Sequence, residues 1–294
     1  MNETPGQTRP RVLVGIDGSE DGLRATRLGA GRALRRGSDL WLVHALDDGV
    51  VAGGWGVIYD PSVLEQAGRA AMNQAVEAAV QRGLDRDRIE TDVLVGHPAV
   101  ILEELSQQAE TVILGRRAAS GLERMFVGST STSLAATAAC PVIVISSAAN
   151  PGPTTTHHRI GVALGQGKTD KALRWGCQEA QSRDATLEVL HVAPNQSSGA
   201  LALVNRSGEA DKGGRERVDQ ELEARIAPVR EEYPGLTIET KRLVGPPSDQ
   251  LISRTAELDL LVLSVRPRAI TGIALGGAVR GVLAHAMSPV VLIR

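Results

Sequence analysis

Aromatic residues are scarce. Three Trp, two Tyr and one Phe make up 2% of the 294 residues, too few ring faces for the stacking platforms that bind single-stranded nucleic acid. Lysine is nearly missing beside arginine, four against 28, and the 32 basic residues are balanced by 34 acidic ones, for a net charge of −2. That balance lacks the positive footprint of a dedicated nucleic-acid binder. Two cysteines, Cys140 and Cys177, cannot build a disulfide framework or a cysteine-rich metal site. No apolar run approaches the ~18 residues that span a bilayer. The stretch from Met1 to Arg11 is polar, holds two prolines and lacks the apolar core of a signal peptide. The expectation is a cytoplasmic protein that engages neither membrane nor nucleic acid. The arginine and alanine bias points to a GC-rich bacterial genome.

Apolar residues reach 42% and charged residues 22%, enough to bury two cores in a chain of this length. The sequence repeats itself. Val12 to Gly18 resembles Arg159 to Gly165, Leu40-Trp41-Leu42-Val43-His44 resembles Leu187 to His191, Val95-Gly96-His97-Pro98 resembles Val244 to Pro247, and Cys140 to Ile145 resembles Ser288 to Ile293. The four anchors keep their order at an offset of 147 to 149, so the chain reads as two tandem domains, 1–146 and 158–294. The linker, 147–157, is rich in Pro, Gly, Ser and Thr.

Each repeat alternates short β-branched runs with amphipathic segments. The first predicts strands at 11–17, 39–46, 88–95, 110–115 and 141–146 and helices at about 20–36, 62–82, 98–109 and 128–139. Ser19 is suited to cap the first helix, with Glu20 and Asp21 in its first turn; Gly29 and Gly31 weaken it. Strands alternating with helices imply parallel pairing through right-handed crossovers. Both repeats close on a Val/Ile run after proline. An open apolar edge invites aggregation, so the two final strands are expected to pair with each other, with Val144 close to Val291 or Leu292.

In an open parallel sheet ligands bind beyond the carboxyl ends of the strands. There the first repeat carries Gly15-Ile16-Asp17-Gly18-Ser19 and, after the fourth strand, Gly115 followed by a loop that leads to Gly128-Ser129-Thr130-Ser131. Gly128 permits close backbone approach, the start of a helix presents N–H groups with partial positive charge, and Ser129 and Ser131 add hydroxyls. Arg116, Arg117 and Arg124 supply cationic charge in the same loop. This is the pattern of a phosphate cradle. In the second repeat, Leu164 is expected in the place of Asp17, and Ser264, Pro267 and Gly277-Ala278 in the places of Gly115, Ala118 and Gly128-Ser129, so that repeat reads as a scaffold with a degenerate site. Gly161 to Thr169 imitates a P-loop, but the glycine required five residues before Gly167 is Val162; Lys168 is a solvated first-turn residue in this reading. His44 and His191 recur at equivalent strand ends and are read as caps on backbone carbonyls. His157-His158 lacks metal-ligating neighbours, and Cys140 reads as a packing residue. No catalytic constellation and no metal site stand out.

These residues resemble the universal stress protein family, whose nucleotide pattern is Gly, two residues, Gly, nine residues, Gly, then Ser or Thr. Gly115 and Gly128-Ser129 match it; Ala118 replaces the middle glycine, and Gly121 offers compensating freedom. Val14 to Ser19, Val43-His44, Gly96-His97-Pro98 and Ala139 to Ile145 are also similar to the family. The resemblance implies two five-stranded α/β sandwiches of the adenine nucleotide alpha hydrolase-like type, paired as an intrachain pseudo-dimer, with a further homodimer left open. It implies ATP, with or without Mg²⁺, bound in the first repeat by Gly15, Ile16, Asp17, Val43, Gly115, Arg116, Arg117, Ala118, Gly121, Arg124, Gly128, Ser129, Thr130 and Ser131. The implied role is a stress or dormancy regulator that acts through an unidentified protein partner rather than as an enzyme. The competing readings are a degenerate interaction module that binds no nucleotide, and a nucleotide hydrolase or adenylyl transferase.

Overall fold

The short apolar runs become strands because their Val, Ile and Leu side chains are buried on both faces of one sheet. The computed structural model describes residues 9–47, 61–116, 128–145, 156–165, 170–193, 208–265 and 275–294. The first repeat runs β1 (Arg11–Ile16), α1 (Glu20–Arg36), β2 (Asp39–Leu46), α2 (Pro61–Gln81), β3 (Ile89–Val95), α3 (Pro98–Leu105), β4 (Thr111–Gly115), α4 (Ser129–Thr137) and β5 (Val142–Ile145). The second runs β6 (Arg159–Ala163), α5 (Asp170–Ser182), β7 (Thr186–Ala193), α6 (Gly208–Glu232), β8 (Ile238–Val244), α7 (Pro247–Thr255), β9 (Leu260–Ser264), α8 (Gly277–His285) and β10 (Val290–Ile293). The strands form one ten-stranded sheet in the order β3-β2-β1-β4-β5-β10-β9-β6-β7-β8.

Every neighbouring pair is parallel except β5 and β10, which run antiparallel with Val144 opposite Val290, Ile143 opposite Val291 and Val142 opposite Leu292. The expected pairing of the two final strands is present, with Val144 opposite Val290, one residue short of Val291 and two short of Leu292. Ile143 and Val291 are equivalent positions of the two repeats, so the pair between them marks a pseudo-twofold axis. α1, α2, α5 and α6 pack on one face of the sheet with Ile143 and Val291. α3, α4, α7 and α8 cover the other with Val142, Val144, Val290 and Leu292.

Gly29 has a reason for standing inside a helix. A Cβ there would lie 2.7 Å from Val14 Cγ2 and 3.1 Å from Leu40 Cδ1, and Gly176 meets Val162 in the same way. The two glycines let α1 and α5 settle directly on their strands, which offsets their poor helix propensity of ~1 kcal/mol. Ser19 caps α1 as expected, its Oγ accepting from the Gly22 N–H at 3.1 Å. At the other end Gly37 closes α1 with φ 69°. Asp184 takes that place after α5 with φ 51°, and Ala185 N–H bonds the Ala180 carbonyl as Ser38 N–H bonds that of Ala33.

The axis is also marked by charge. Arg32 of α1 pairs with Glu179 of α5, both side chains buried. The Arg32 guanidinium lies over the Trp175 ring at 5.0 Å from its centroid, and Arg183 and Arg35 reach the same carboxylate at 2.6 and 3.8 Å. Burial works against ionisation of Glu179, but Arg183, Arg32 and Arg35 outweigh it and hold its carboxyl at about 2.

Two expectations follow for stability. A carboxyl held below its unfolded value of ~4.3 stabilises the fold fully above that value and withdraws its contribution as pH falls toward the folded value. Urea midpoints of the wild type should therefore fall more steeply from about pH 4.5 to pH 2 than those of Glu179→Gln; equal slopes would contradict the ion pair. Asp184→Gly should stabilise the fold by about 0.5–1 kcal/mol, because glycine adopts the left-handed C′ conformation without a Cβ penalty. Denaturant titration checks this, and a destabilised variant would speak against it.

Candidate functional site

A cavity of about 670 Å³ opens at the carboxyl ends of β1, β2 and β4. In the order β3-β2-β1-β4-β5 the chain direction of build-up reverses between β1 and β4, the switch point where open α/β sheets form their crevice. Of the residues expected there, Gly15, Ile16, Asp17, Val43, Gly115, Gly128, Ser129, Thr130 and Ser131 all line this cavity. Arg117, Ala118, Gly121 and Arg124 lie outside the described residues, as do Pro267 and Lys168.

Each glycine serves a different need. A Cβ on Gly115 would sit 2.5 Å from the Asp21 carbonyl carbon and 2.6 Å from Gly22 N, so β4 can end against the first turn of α1 only if residue 115 has no side chain. A Cβ on Gly15 would lie 2.7 Å from Leu114 Cδ2. Gly18 turns the chain out of β1 with φ 77°. Gly128 is different: among the described residues, its chain neighbours aside, only Ser131 Oγ, at 3.9 Å, lies within 4 Å of its Cβ position. Its openness leaves room for a group to approach the backbone at the start of α4.

Asp17 is held in place by its neighbour. Its Oδ1 accepts from Ser19 Oγ at 2.6 Å and from the Ser19 N–H at 3.0 Å, which aims the carboxylate from the end of β1. Opposite it, α4 begins with exposed Ser129, half-buried Thr130 and buried Ser131, and a helix start leaves its first N–H groups without intrahelical acceptors. The apolar part of the lining is made by Val43, Leu102, Leu114, Ala67, Ala70 and Ala71. A carboxylate, a set of hydroxyl and N–H donors and an apolar wall can hold a flat, partly apolar ligand that carries both hydroxyls and an anionic end.

Arg116 does not join this set. Its guanidinium is buried and donates to the carbonyl of Ala284 in α8 of the other repeat, while the Arg116 backbone N–H donates to the Ile145 carbonyl. Alternation along β4 explains the departure from expectation. Ile113 faces α1, Leu114 faces the opposite layer, Gly115 faces α1 again, and residue 116 is sent to the layer that contains α8. Burial lowers the Arg116 pKa, an effect that nearby Asp21 opposes. Among the described residues the charged lining groups are therefore acidic, Asp17 and Asp47, beside His44.

The structure adds residues that sequence reading passed over. His44 caps a carbonyl as expected, its Nδ1 donating to Ile16 O at 2.7 Å, and it also lines the cavity. A Cβ on Gly68 of α2 would lie 2.7 Å from His44 Cδ2, so the histidine and the glycine are fitted to each other. The signal was legible: Ala67, Gly68, Ala70 and Ala71 put four small residues within five positions of one helix, broken only by exposed Arg69. Elsewhere, burial pushes the Cys140 and Cys177 thiols up to about 12, which leaves them unreactive thiols at neutral pH. Among the described residues no group of three or more His, Cys, Asp or Glu side chains could hold a metal ion, and no helix is long and apolar enough to cross a membrane.

The second repeat corrects two alignments. Gly15 pairs with Val43 and Ala163 with Leu190, so Leu164 corresponds to Ile16 and Gly165 to Asp17. The expected match of Leu164 to Asp17 is displaced by one residue, because β6 is shifted against its helix by one relative to β1. Gly276 caps α8 as Gly128 caps α4, whereas Ser264 matches Gly115 through its partner strand. The segment between them is thus one residue shorter in the second repeat, and Gly277, Ala278 and Val279 stand where Ser129, Thr130 and Ser131 stand. The carboxylate and all three hydroxyls are absent from these places. The Gly165 carbonyl accepts from Arg225 at 3.1 Å, and His191, at the place of His44, has its pKa lowered by burial and by Arg242.

Comparison with known proteins agrees with this architecture. The sequence model of the universal stress protein family matches residues 8–146 and again 156–294. A universal stress protein of Mycobacterium tuberculosis is 28% identical over 291 residues, covering 96% of both chains. Another from that organism is 26% identical over 298 residues, covering 98% of both. A universal stress protein of Archaeoglobus fulgidus of known structure shares the fold, with a TM-score of 0.70 at 16% identity over 98% of this chain and 97% of its own. Matched twice in tandem along nearly all of its length, the chain belongs to the universal stress protein family.

Proposed function

We propose that the first repeat, residues 1–146, binds an adenine nucleotide in the cavity at the ends of β1, β2 and β4, and that the second, 158–294, is its non-binding partner. The observation that carries this reading is the joint placement of Asp17, Gly128 and the Ser129-Thr130-Ser131 helix start around one 670 Å³ cavity, a volume within the usual range for small-molecule sites, ~300–1,000 Å³. In this reading the apolar wall takes the base, Asp17 accepts from the sugar hydroxyls, and the start of α4 takes phosphate. Arg117 and Arg124 are the cations proposed to complete the phosphate end, since Arg116 is committed to the other repeat.

Mg²⁺ fits the donor set as an accompanying ion. It is commonly held by one or two carboxylates together with substrate phosphates, and Asp17 and Asp47 are the carboxylates that line this cavity. Such an ion would neutralise phosphate charge. ATP is the nucleotide proposed, in a regulatory role in which occupancy biases the segment between Gly115 and Gly128 and thereby a protein partner.

Calorimetry with ATP, ADP and AMP tests the reading. One nucleotide per chain should bind in the micromolar range or weaker, and Asp17→Ala and Gly128→Glu should each weaken binding at least about tenfold, a loss of ~1.4 kcal/mol or more. Ala118→Gly should tighten it, by up to about fivefold if residue 118 needs a positive φ. Two nucleotides per chain would refute the assigned asymmetry. No binding of any adenine nucleotide would favour an interaction module instead.

A further inference from the structure

Arg32 and Glu179 occupy equivalent places in the two repeats. Gly29 and Gly176 seat α1 and α5 on Val14 and Val162 in the same manner, and Arg32 and Glu179 each follow three residues later. Equivalent residues of two related units touch each other only on the twofold axis that relates them. These two touch, with side-chain exposures of 3% and 1%.

We propose that this pair decides which repeat can join with which: the face of the first repeat accepts a carboxylate-bearing face, that of the second, and rejects another copy of itself. The strands that form the joint cannot make this choice. β5 reads Val-Ile-Val-Ile and β10 Val-Val-Leu-Ile, and either could pair with its own kind through the same backbone bonds. The axis breaks that equivalence. Two first repeats would bring Arg32 against Arg32, with Arg35 and Arg36 beside each and Glu110, 3.7 Å from Arg32 Nε, as the nearby carboxylate. The ring beneath the guanidinium would also be lost, because Leu28 stands where Trp175 stands. Two second repeats would bring Glu179 against Glu179, each left with its own Arg183. Only the mixed pairing places one carboxylate among Arg32, Arg35 and Arg183. A buried like-charge contact is a strong penalty against the wrong partner, and the penalty falls on every open-ended assembly in which like repeats of different chains would join.

Charge exchange in the full chain tests this. Arg32→Glu and Glu179→Arg should each lower the thermal midpoint by roughly 5–10 °C, and the double variant Arg32→Glu/Glu179→Arg should recover most of that loss. Differently tagged chains refolded together supply the second measurement. Arg32→Glu refolded with Glu179→Arg can satisfy both axes only by pairing repeats between chains, so co-purification should exceed that of tagged and untagged wild type by at least about tenfold. A double variant no more stable than its singles, single variants with wild-type midpoints, or a mixture that co-purifies no better than wild type would each overturn the proposal.

Discussion

The antiparallel junction of β5 with β10 is the contact on which the rest of the molecule depends. Each repeat by itself ends its sheet on a strand of four buried apolar residues, an edge with unpaired backbone groups and no polar side chain to protect it. Joining the two edges satisfies both rows of backbone groups at once. It also fixes everything carried near them, because α1 and α5 meet above the junction and α4 and α8 lie beneath it. The outer edges, β3 and β8, are by contrast studded with Glu90, Asp92, Glu239, Lys241 and Arg242, charges that discourage further pairing.

The junction reaches into the cavity of the first repeat. β4 is next to β5, and the residue that follows Gly115 spends its side chain on the other repeat, Arg116 on the Ala284 carbonyl. The exchange runs both ways: Arg294, after β10, donates to the Ala138 carbonyl at the end of α4 at 3.3 Å. Cations placed at the last carbonyls of a helix are favoured by its dipole. α4 is thus fixed at its C-terminus by the second repeat while its N-terminus lines the cavity of the first. The second repeat, with Gly165 and Gly277-Ala278-Val279 in the places of the carboxylate and hydroxyls, helps to hold the helix whose start lines the cavity of the first.

The two repeats have diverged at the crevice beyond their strand ends, where Gly165 and Gly277-Ala278-Val279 replace Asp17 and Ser129-Thr130-Ser131, and have stayed alike at the turns that follow β3 and β8. Gly96 and Gly245 keep φ of 141° and 139°. Trp41 and Glu188, at equivalent places in β2 and β7, show how a core can change its chemistry within one fold. Arg11 stacks on Trp41 at 4.0 Å; Arg159, its counterpart, instead approaches Glu188 at 3.3 Å, and Arg254 forms a buried pair with that same carboxylate. A buried ion pair replaces an aromatic contact and remains tolerable because every charge in it has a partner.

The sequence by itself determined the repeat, the order of strands and helices, the Ser19 cap and the pairing of the final strands. These rest on local periodicity, turn chemistry and the need to hide an apolar edge, all written within a few residues of where they act. It also determined most of the cavity's polar residues, since Asp17 and Gly128 to Ser131 lie at the ends of elements whose order places them together. Tertiary structure alone decided the rest. That Arg116 turns away from the cavity depends on which layer β4 presents to α8. That Gly165, rather than Leu164, stands for Asp17 depends on strand register, which a side-chain period of two makes invisible until the partner strand is known. That Arg32 meets Glu179 depends on a symmetry axis, and no local pattern of residues encodes where such an axis will fall.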